Sequence, residues 1–188
     1  MSLESGKTLG GLGALFMVIG SFVPFLSLVG IILLLVGLRR LADHYNENGI
    51  FQNALYGFIF GIVGIFVGAF VLLSLIFGFT VVTPTPSLAD PIAFFTGIIV
   101  ALIVIFVFYL LTAIFYKKSF DMLSEKTGEK MFGTAGLLLL IGAVLTIIII
   151  GFLLMFIAWI LLTVSFFSIK NSATQPSAPE VPPPPPLS

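Results

Sequence analysis

The chain of 188 residues is 59% hydrophobic and only 9% charged, its formal net charge is zero, and its mean hydropathy is +1.24. A soluble domain carries roughly 25% charged residues, so lipid rather than water must surround much of this chain. The balanced charge gives no sign of nucleic-acid binding, and the absence of cysteine excludes disulfides, thiol catalysis and iron–sulfur clusters.

Long charge-free stretches predict transmembrane helices. The hydrocarbon core is about 30 Å thick and needs about 20 helical residues, so residues 54–79 and 92–116 each suit one crossing. Residues 132–169 would form a helix about 57 Å long, so we expect a hairpin near Gly151. Pro24 indicates either a kink in one tilted helix or a turn between two helices. With a turn at Pro24, the spans are about 8–22, 25–41, 54–79, 92–116, 132–148 and 151–169.

The basic residues decide between these topologies, because Lys and Arg that flank spans collect on the cytoplasmic side. Six spans place all eight cations on one side: Lys7, Arg39, Arg40, Lys117, Lys118, Lys126, Lys130 and Lys170. With four spans, Lys7 and Lys170 would lie on the side opposite to the other cations, and with five spans one of them would. We therefore predict an all-α integral membrane bundle over residues 1–170. It has six transmembrane helices, with four or five as alternatives, and lies in the cell membrane with both termini cytoplasmic.

Two proline-rich segments lie outside the predicted spans. Residues 80–91 form an external loop in this topology, and Pro91 suits the first turn of the next helix. Residues 171–188 contain five consecutive prolines and predict a disordered cytoplasmic tail that favours polyproline II. The alternative for this tail is a peptide that docks into an aromatic-lined groove of a partner.

Two polar loops resemble each other and are the candidate interaction sites. RRLADHYNENGIF at 39–51 and KKSFDMLSEKTGEKMF at 117–132 each place a basic pair shortly before an acidic residue. On a helix such side chains are neighbours, and they can contact anionic lipid headgroups or a protein partner: Arg39, Arg40, Asp43, Lys117, Lys118 and Asp121. Gly49 and Gly128 predict the ends of the two helices.

A metal or hydrolytic site in these loops is the weaker interpretation. The single histidine, His44, and scattered carboxylates such as Asp43, Glu47 and Asp121 match no spacing of a hydrolase or metalloprotease. We therefore predict no catalytic, metal-binding or cofactor-binding residue, and we do not expect an enzyme.

The charge-free stretches are rich in small and aromatic residues and contain no Asp, Glu, Lys, Arg or His, which argues against a proton-coupled transporter. Tyrosines near span ends, such as Tyr116, suit interface anchors. Pro24 with its flanking serines leaves open a broken-helix transport site. Four glycines near one face of the third span predict close helix packing, within the bundle or in a dimer: Gly57, Gly61, Gly64 and Gly68.

Three stretches resemble a family of small archaeal multi-pass membrane proteins that is classed only as a domain of unknown function. They are KTLGGLGALFMVIG at 7–20, VGIILLLVGLRRLADHYNENGIFQNALYGFI at 29–59 and FYKKSFDMLSEKTGEKMFGTAGLLLLIGAVLTIIIIGFLLMFIAWILLTVSFFSIK at 115–170. The resemblance covers about residues 3–170 and leaves out the proline-rich tail. It implies a cytoplasmic membrane and an archaeal source, and it brings no activity, cofactor or catalytic residue.

The best functional interpretation is a structural or interaction protein, such as an accessory subunit or a bilayer organiser, that acts through loops 39–53 and 117–131. Its expected partners are the lipid bilayer and another membrane protein or a second copy, and not nucleic acid. The alternative is a small permease or channel for an uncharged or lipidic substrate, lined by Gly, Ser and Thr. That alternative requires a polar-lined cavity near the bilayer midplane, around Pro24 or Gly57.

Overall fold

The computed structural model describes residues 3–81, 89–147 and 150–170, and its regular structure there is helical throughout. Six α-helices follow one another, with a 3₁₀ turn Leu145–Ile147 after the fifth: α1 (Leu3–Gly20), α2 (Pro24–His44), α3 (Asn48–Val81), α4 (Ala89–Thr127), α5 (Met131–Val144) and α6 (Ile150–Ser168). The predicted six-helix, all-α architecture is confirmed. By length and composition α2, α3, α4 and α6 can each cross a membrane, whereas α1 and α5 are the shortest helices at 18 and 14 residues.

The first apolar stretch divides into two helices at Pro24, as one of the two sequence interpretations predicted. Val23 is extended, the conformation that a residue before proline prefers, and Pro24 begins α2, where its missing N–H costs nothing. The amide N–H groups of the turn residues Ser21, Phe22 and Val23 donate to carbonyl oxygens in the last turn of α1. The turn therefore satisfies these three donors without water.

The two glycines predicted to end helices behave differently. Gly128 follows α4 with a φ of +74°, a left-handed conformation that glycine adopts without strain, so this prediction is confirmed. The prediction for Gly49 is wrong, because α3 already begins at Asn48. Asn46 takes the left-handed conformation in that loop, with a φ of 50°, because asparagine tolerates this region better than most residues.

The predicted proline-rich segments lie largely outside the described residues. α3 continues to Val81 and α4 begins at Ala89, so the helices take up both ends of the predicted 80–91 loop, and Pro91 lies in the first turn of α4 as predicted. Residues 82–88, where the rest of that loop falls, and the tail at 171–188 are not described.

The helices form a ring in which each helix packs against its neighbours in sequence and α1 packs against α6. Buried side chains from all six helices meet inside this ring. Phe120, Phe132 and Phe166 are among the largest that are fully buried. The rings of Phe132 and Phe166 pack edge to face with their centroids 4.9 Å apart, a favoured aromatic arrangement.

The α3–α4 hairpin is much longer than the other two hairpins. α3 has 34 residues and α4 has 39, which correspond to about 51 and 58 Å. Arg39 of α2 lies over the ring of Phe51 of α3. Because both helices rise about 1.5 Å per residue, the start of α2 at Pro24 lies about level with Phe66 of α3. The remainder of α3 therefore projects about 20 Å beyond the α1–α2 turn, and it carries exposed apolar side chains such as Phe70 and Phe77.

Candidate functional site

The basic residues lie at one end of the ring, which we call the charged end. It comprises the start of α1, the end of α2, the start of α3, α4 from Lys117 onward, the start of α5 and the end of α6. The ammonium nitrogen of Lys7 lies 2.9 Å from the carbonyl oxygen of Ile169, and the Cβ atom of Arg40 adjoins Gly6. The antiparallel packing of neighbouring helices thus brings basic residues from both ends of the chain together.

Three ion pairs occur at the charged end, among the described residues. Lys117 pairs with Asp121 one turn along α4, as the i, i+4 spacing predicted. Lys126 of α4 lies 3.0 Å from Glu47 in the loop after α2, so this pair connects the two polar loops. The third pair joins Lys7 to Glu4 within α1. Such partly exposed pairs each contribute about 0–1 kcal/mol.

Two basic side chains lie over aromatic rings instead of pairing with acids. The guanidinium carbon of Arg39 is 5.2 Å from the centre of the Phe51 ring, and the Lys118 nitrogen is 5.5 Å from that of Phe115. Cation–π contacts at exposed sites are worth about 0.5–1 kcal/mol. Asp43 forms no ion pair with Arg39 or Arg40 among the described residues, although the three residues are neighbours on α2.

The polar loops do not assemble a chemical site among the residues that the structure describes. No group of three histidine or acidic side chains there is close enough to hold a metal ion. Asp43 and His44 are exposed at the end of α2, Glu47 is paired with Lys126, and partial burial raises the pKa of the neighbouring Tyr45 phenol.

The glycine stripe of α3 faces α4. A Cβ atom added to Gly64 would lie 2.7 Å from a side-chain carbon of Phe108, and one added to Gly68 would lie 2.8 Å from Ile105. At Gly61 the nearest atom belongs to Thr112 and would be 3.6 Å away, which is an ordinary contact. The stripe therefore serves packing between α3 and α4, most tightly at its outer end.

The closest helix approach involves two glycines that sequence reasoning did not single out. A Cβ atom on Gly37 of α2 would lie 2.4 Å from the backbone nitrogen of Gly10 in α1, and one on Gly30 would lie 2.9 Å from the carbonyl oxygen of Gly13. Backbone here meets backbone, as small residues permit where helices cross in lipid. The signal was present in the sequence, since glycines recur on both helices of the hairpin.

A cavity of about 290 Å³ lies between the helices, and all six of them contribute to its wall. Its lining is almost entirely apolar and includes Gly57, Gly61, Thr112, Tyr116 and Trp159. The cavity lies at Gly57, where the permease alternative required a polar-lined one. Nothing in the described residues supports that alternative, because the wall offers almost no polar surface.

Tyr116 is the unusual residue of this cavity. Its side chain is 6% exposed and stacks on Phe120 with the ring centres 6.1 Å apart. The prediction that Tyr116 anchors at the membrane interface is wrong, because its ring points into the bundle. Its hydroxyl group is buried and has no hydrogen-bond partner among the described residues. Nothing in the local sequence distinguishes this tyrosine from a true interface residue, such as the half-exposed Tyr56.

An apolar ring of six helices with its cations at one end defines a helical membrane protein. Residues 26–160 match the family described as protein of unknown function DUF996, and the chain belongs to this family. It is 30% identical over 175 residues to an uncharacterised protein of Methanocaldococcus jannaschii, a match that covers 91% of this chain and 95% of that protein. No solved structure matches the chain. The resemblance to an archaeal family of unknown function is thereby confirmed.

Proposed function

We propose that the protein is a non-enzymatic structural component of the cell membrane that organises the bilayer around it. Its charged end and both termini lie in the cytoplasm, because flanking Lys and Arg residues favour that side. The observation that carries the proposal is the unequal apolar length of hairpins that share one charged end.

The α1–α2 hairpin is short for a bilayer. From Arg40 to Pro24 the axis of α2 rises about 24 Å, against a hydrocarbon core of about 30 Å. The turn presents Phe22 and Phe25, which are 78% and 73% exposed. Its amide donors are already bonded to α1, so the turn can lie in hydrocarbon, where an unpaired backbone group is too costly.

The α3–α4 hairpin is long for the same bilayer. From Asn53 to Val81 the axis of α3 rises about 42 Å without a charged side chain. Tilting brings such a helix into the hydrocarbon core, but the same tilt draws the α1–α2 turn further from the opposite surface. The two lengths together therefore favour a bilayer that is thinned only in part beside α1–α2, so that the turn still lies below the opposite surface.

Lipid and a second copy of the chain are the partners that this role implies. A helix shorter than the bilayer is accommodated by thinning or by oligomerisation, at a fraction of a kcal/mol per Å of mismatch. Basic side chains at the charged end, among them Arg39 and Lys118, attract anionic headgroups at about 1 kcal/mol each. These contacts keep the charged end at the cytoplasmic surface. The difference between the length of the hairpins and the thickness of the bilayer is therefore accommodated in the opposite leaflet.

Single cysteines test the depth of each hairpin, since the chain itself has none. A membrane-impermeant maleimide is applied to intact cells and to inverted vesicles carrying Ser21→Cys, Ser87→Cys or Lys170→Cys. We expect Ser87→Cys to react from outside and Lys170→Cys only from the cytoplasmic side. Ser21→Cys should react from neither side until detergent is added. Rapid labelling of Ser21→Cys from outside would place the turn at the opposite surface and contradict the proposal.

A further inference from the structure

We propose that the central cavity binds the hydrocarbon chain of a membrane lipid, whose oxygen-bearing end accepts a hydrogen bond from the hydroxyl group of Tyr116. The chain enters sideways from the bilayer, between α2 and α3. This site goes beyond the bilayer-organising role, because it does not depend on how deeply the hairpins lie.

The hydroxyl group of Tyr116 is the first ground for the proposal. Leaving a buried hydroxyl group unpaired costs about 1–3 kcal/mol, and a buried tyrosine usually finds a partner for its O–H. Phenylalanine would fill the same space and stack on Phe120 without that cost. The hydroxyl group therefore indicates a partner that comes from outside the chain.

Water is a poor candidate for that partner. A buried water needs about two to four polar neighbours, but the wall of the cavity is almost entirely apolar. The other hydroxyl groups in that wall already donate their protons elsewhere, and Tyr109 donates to a methionine sulfur. Ser27 donates to the carbonyl oxygen of Gly20 at 3.1 Å, and Thr112 donates to that of Phe108 at 2.9 Å. A ligand that is mostly hydrocarbon and carries one acceptor oxygen matches this wall better.

The cavity opens toward lipid between α2 and α3. These helices pack least closely of the adjoining pairs, and they meet near the charged end, where Arg39 lies over Phe51. Farther along, Leu28 of α2 and Ile62 and Ile65 of α3 line the cavity, and all three have exposed side chains. An apolar rim of this kind admits hydrocarbon from the bilayer.

The space available suits a long chain. The cavity continues into a groove of about 340 Å³ beside the contact between α3 and α4, and the two share Gly61, Ile65 and Thr112 in their walls. By comparison, an apolar cavity of about 150 Å³ holds one benzene molecule. From Gly57, at the cavity, to Leu72, at the far end of the groove, the axis of α3 rises about 22 Å.

The sequence position of Tyr116 sets the direction of the ligand. Lys117 and Lys118 follow it toward the charged end, so the oxygen-bearing end of the lipid lies on the side where headgroups gather. The hydrocarbon chain then runs toward Gly68. The described lining contains no basic side chain, which favours a neutral ester, ether or hydroxyl oxygen over a carboxylate.

Trp159 provides the test, because it is the only tryptophan of the chain, lines the cavity and is 8% exposed. The full-length protein is placed in phosphatidylcholine vesicles whose chains are brominated near their middle, since bromine quenches a tryptophan that it contacts. We expect strong quenching in the wild type. Gly61→Leu, which fills the site, should lose most of it. Ile62→Phe, which narrows the mouth at an exposed position, is the second variant in case Gly61→Leu does not fold.

Tyr116→Phe separates binding from structure. Without the hydrogen bond, the apparent affinity for brominated lipid, measured by dilution with unbrominated lipid, should fall about twofold to tenfold. In lipid-free micelles of a bile salt, which has no flexible chain, Tyr116→Phe should melt at the same or a higher temperature because an unpaired hydroxyl group is gone. A lower melting temperature would reveal a partner within the protein and overturn the assignment.

Two results would overturn the site itself. Equal quenching in the wild type and in folded Gly61→Leu and Ile62→Phe would mean that Trp159 senses only the surrounding bilayer. Quenching of the lipid-free protein by a water-soluble bromoalkanol, without competition from added phosphatidylcholine, would assign the cavity to a small molecule from solution. Neither result changes the cysteine-labelling pattern, so the lipid site and the bilayer-organising role fail separately.

Discussion

Lys7 joins the first helix to the last, because its ammonium group donates a hydrogen bond to the carbonyl oxygen of Ile169 over 2.9 Å. Ile169 directly follows α6, and the carbonyl groups at a helix end have no partner within the helix. The Lys7 side chain is only 17% exposed, so the bond is largely shielded from water. This contact closes the ring at the charged end.

We therefore expect Lys7→Met to destabilise the bundle. A hydrogen bond from a charged group is worth about 1.5–3 kcal/mol, and methionine keeps most of the side-chain volume. The measurement is reversible unfolding in mixed micelles with increasing dodecyl sulfate. Lys170→Met is the matched control, since Lys170 is exposed and no bond to Ile169 is removed. Equal losses in the two variants would show that the effect is one of charge alone.

Two glycines should respond oppositely to alanine. In Gly37→Ala the new methyl group would meet the backbone of Gly10 at 2.4 Å, so α1 and α2 must separate, at about 1–3 kcal/mol or more. In Gly61→Ala the nearest atom, on Thr112, lies at 3.6 Å, and the better helix propensity contributes up to about 1 kcal/mol. Melting temperatures in detergent distinguish them, and a loss in Gly61→Ala as large as that in Gly37→Ala would contradict this account.

Much of the fold could be predicted from the sequence, for identifiable reasons. Charge-free stretches indicate where the transmembrane helices lie along the sequence, because a charged side chain is costly in lipid. Pro24 marked the first turn through its restriction of the preceding residue. The length of the 132–169 stretch required a hairpin, and α5 and α6 pack against each other on either side of the 3₁₀ segment Leu145–Ile147. These signals are local or depend on length alone, so one sequence is enough to read them.

The cavity and its tyrosine could not be predicted in the same way. Whether Tyr116 faces headgroups or the bundle interior depends on the rotation of α4, and the almost uniformly apolar part of α4 that precedes Tyr116 gives little information on that rotation. The close approach of Gly37 to Gly10 likewise depends on where two helices cross. The prediction that Gly49 ends a helix is wrong for a local reason, because the left-handed residue of that loop is Asn46.

Ser119 should stabilise the contact between α3 and α4. Its hydroxyl group is fully buried and donates to the carbonyl oxygen of Ile50 over 2.6 Å. We expect Ser119→Ala to lower the free energy of unfolding by about 0.5–1.5 kcal/mol. Ser74→Ala is the control, because Ser74 is exposed and bonds only to Phe70 on its own helix. The expectation fails if the two variants unfold alike.

The ion pair between Lys126 and Glu47 should contribute little to stability. Both side chains are partly exposed, and such pairs are worth about 0–1 kcal/mol. A double-mutant cycle with Lys126→Met and Glu47→Gln should therefore give a coupling below about 1 kcal/mol, and high salt should reduce it further. A larger coupling that resists salt would show that the two polar loops form a rigid, water-excluding unit.

Bilayer thickness should control the association of the protein with itself. If the α1–α2 turn, with Phe22 at its tip, ends short of the opposite surface, thick bilayers increase the mismatch, and clustering relieves it. Energy transfer between donor- and acceptor-labelled Lys170→Cys proteins, in vesicles of increasing acyl-chain length, measures that association. We expect transfer to rise with chain length at a fixed ratio of protein to lipid. A variant tests this explanation: it carries four leucines inserted into α1 after Ala14 and four into α2 before Leu34, which lengthen the hairpin by about one turn. In this variant, energy transfer should depend less on acyl-chain length. A dependence that is equally steep in that variant would place the mismatch elsewhere in the bundle.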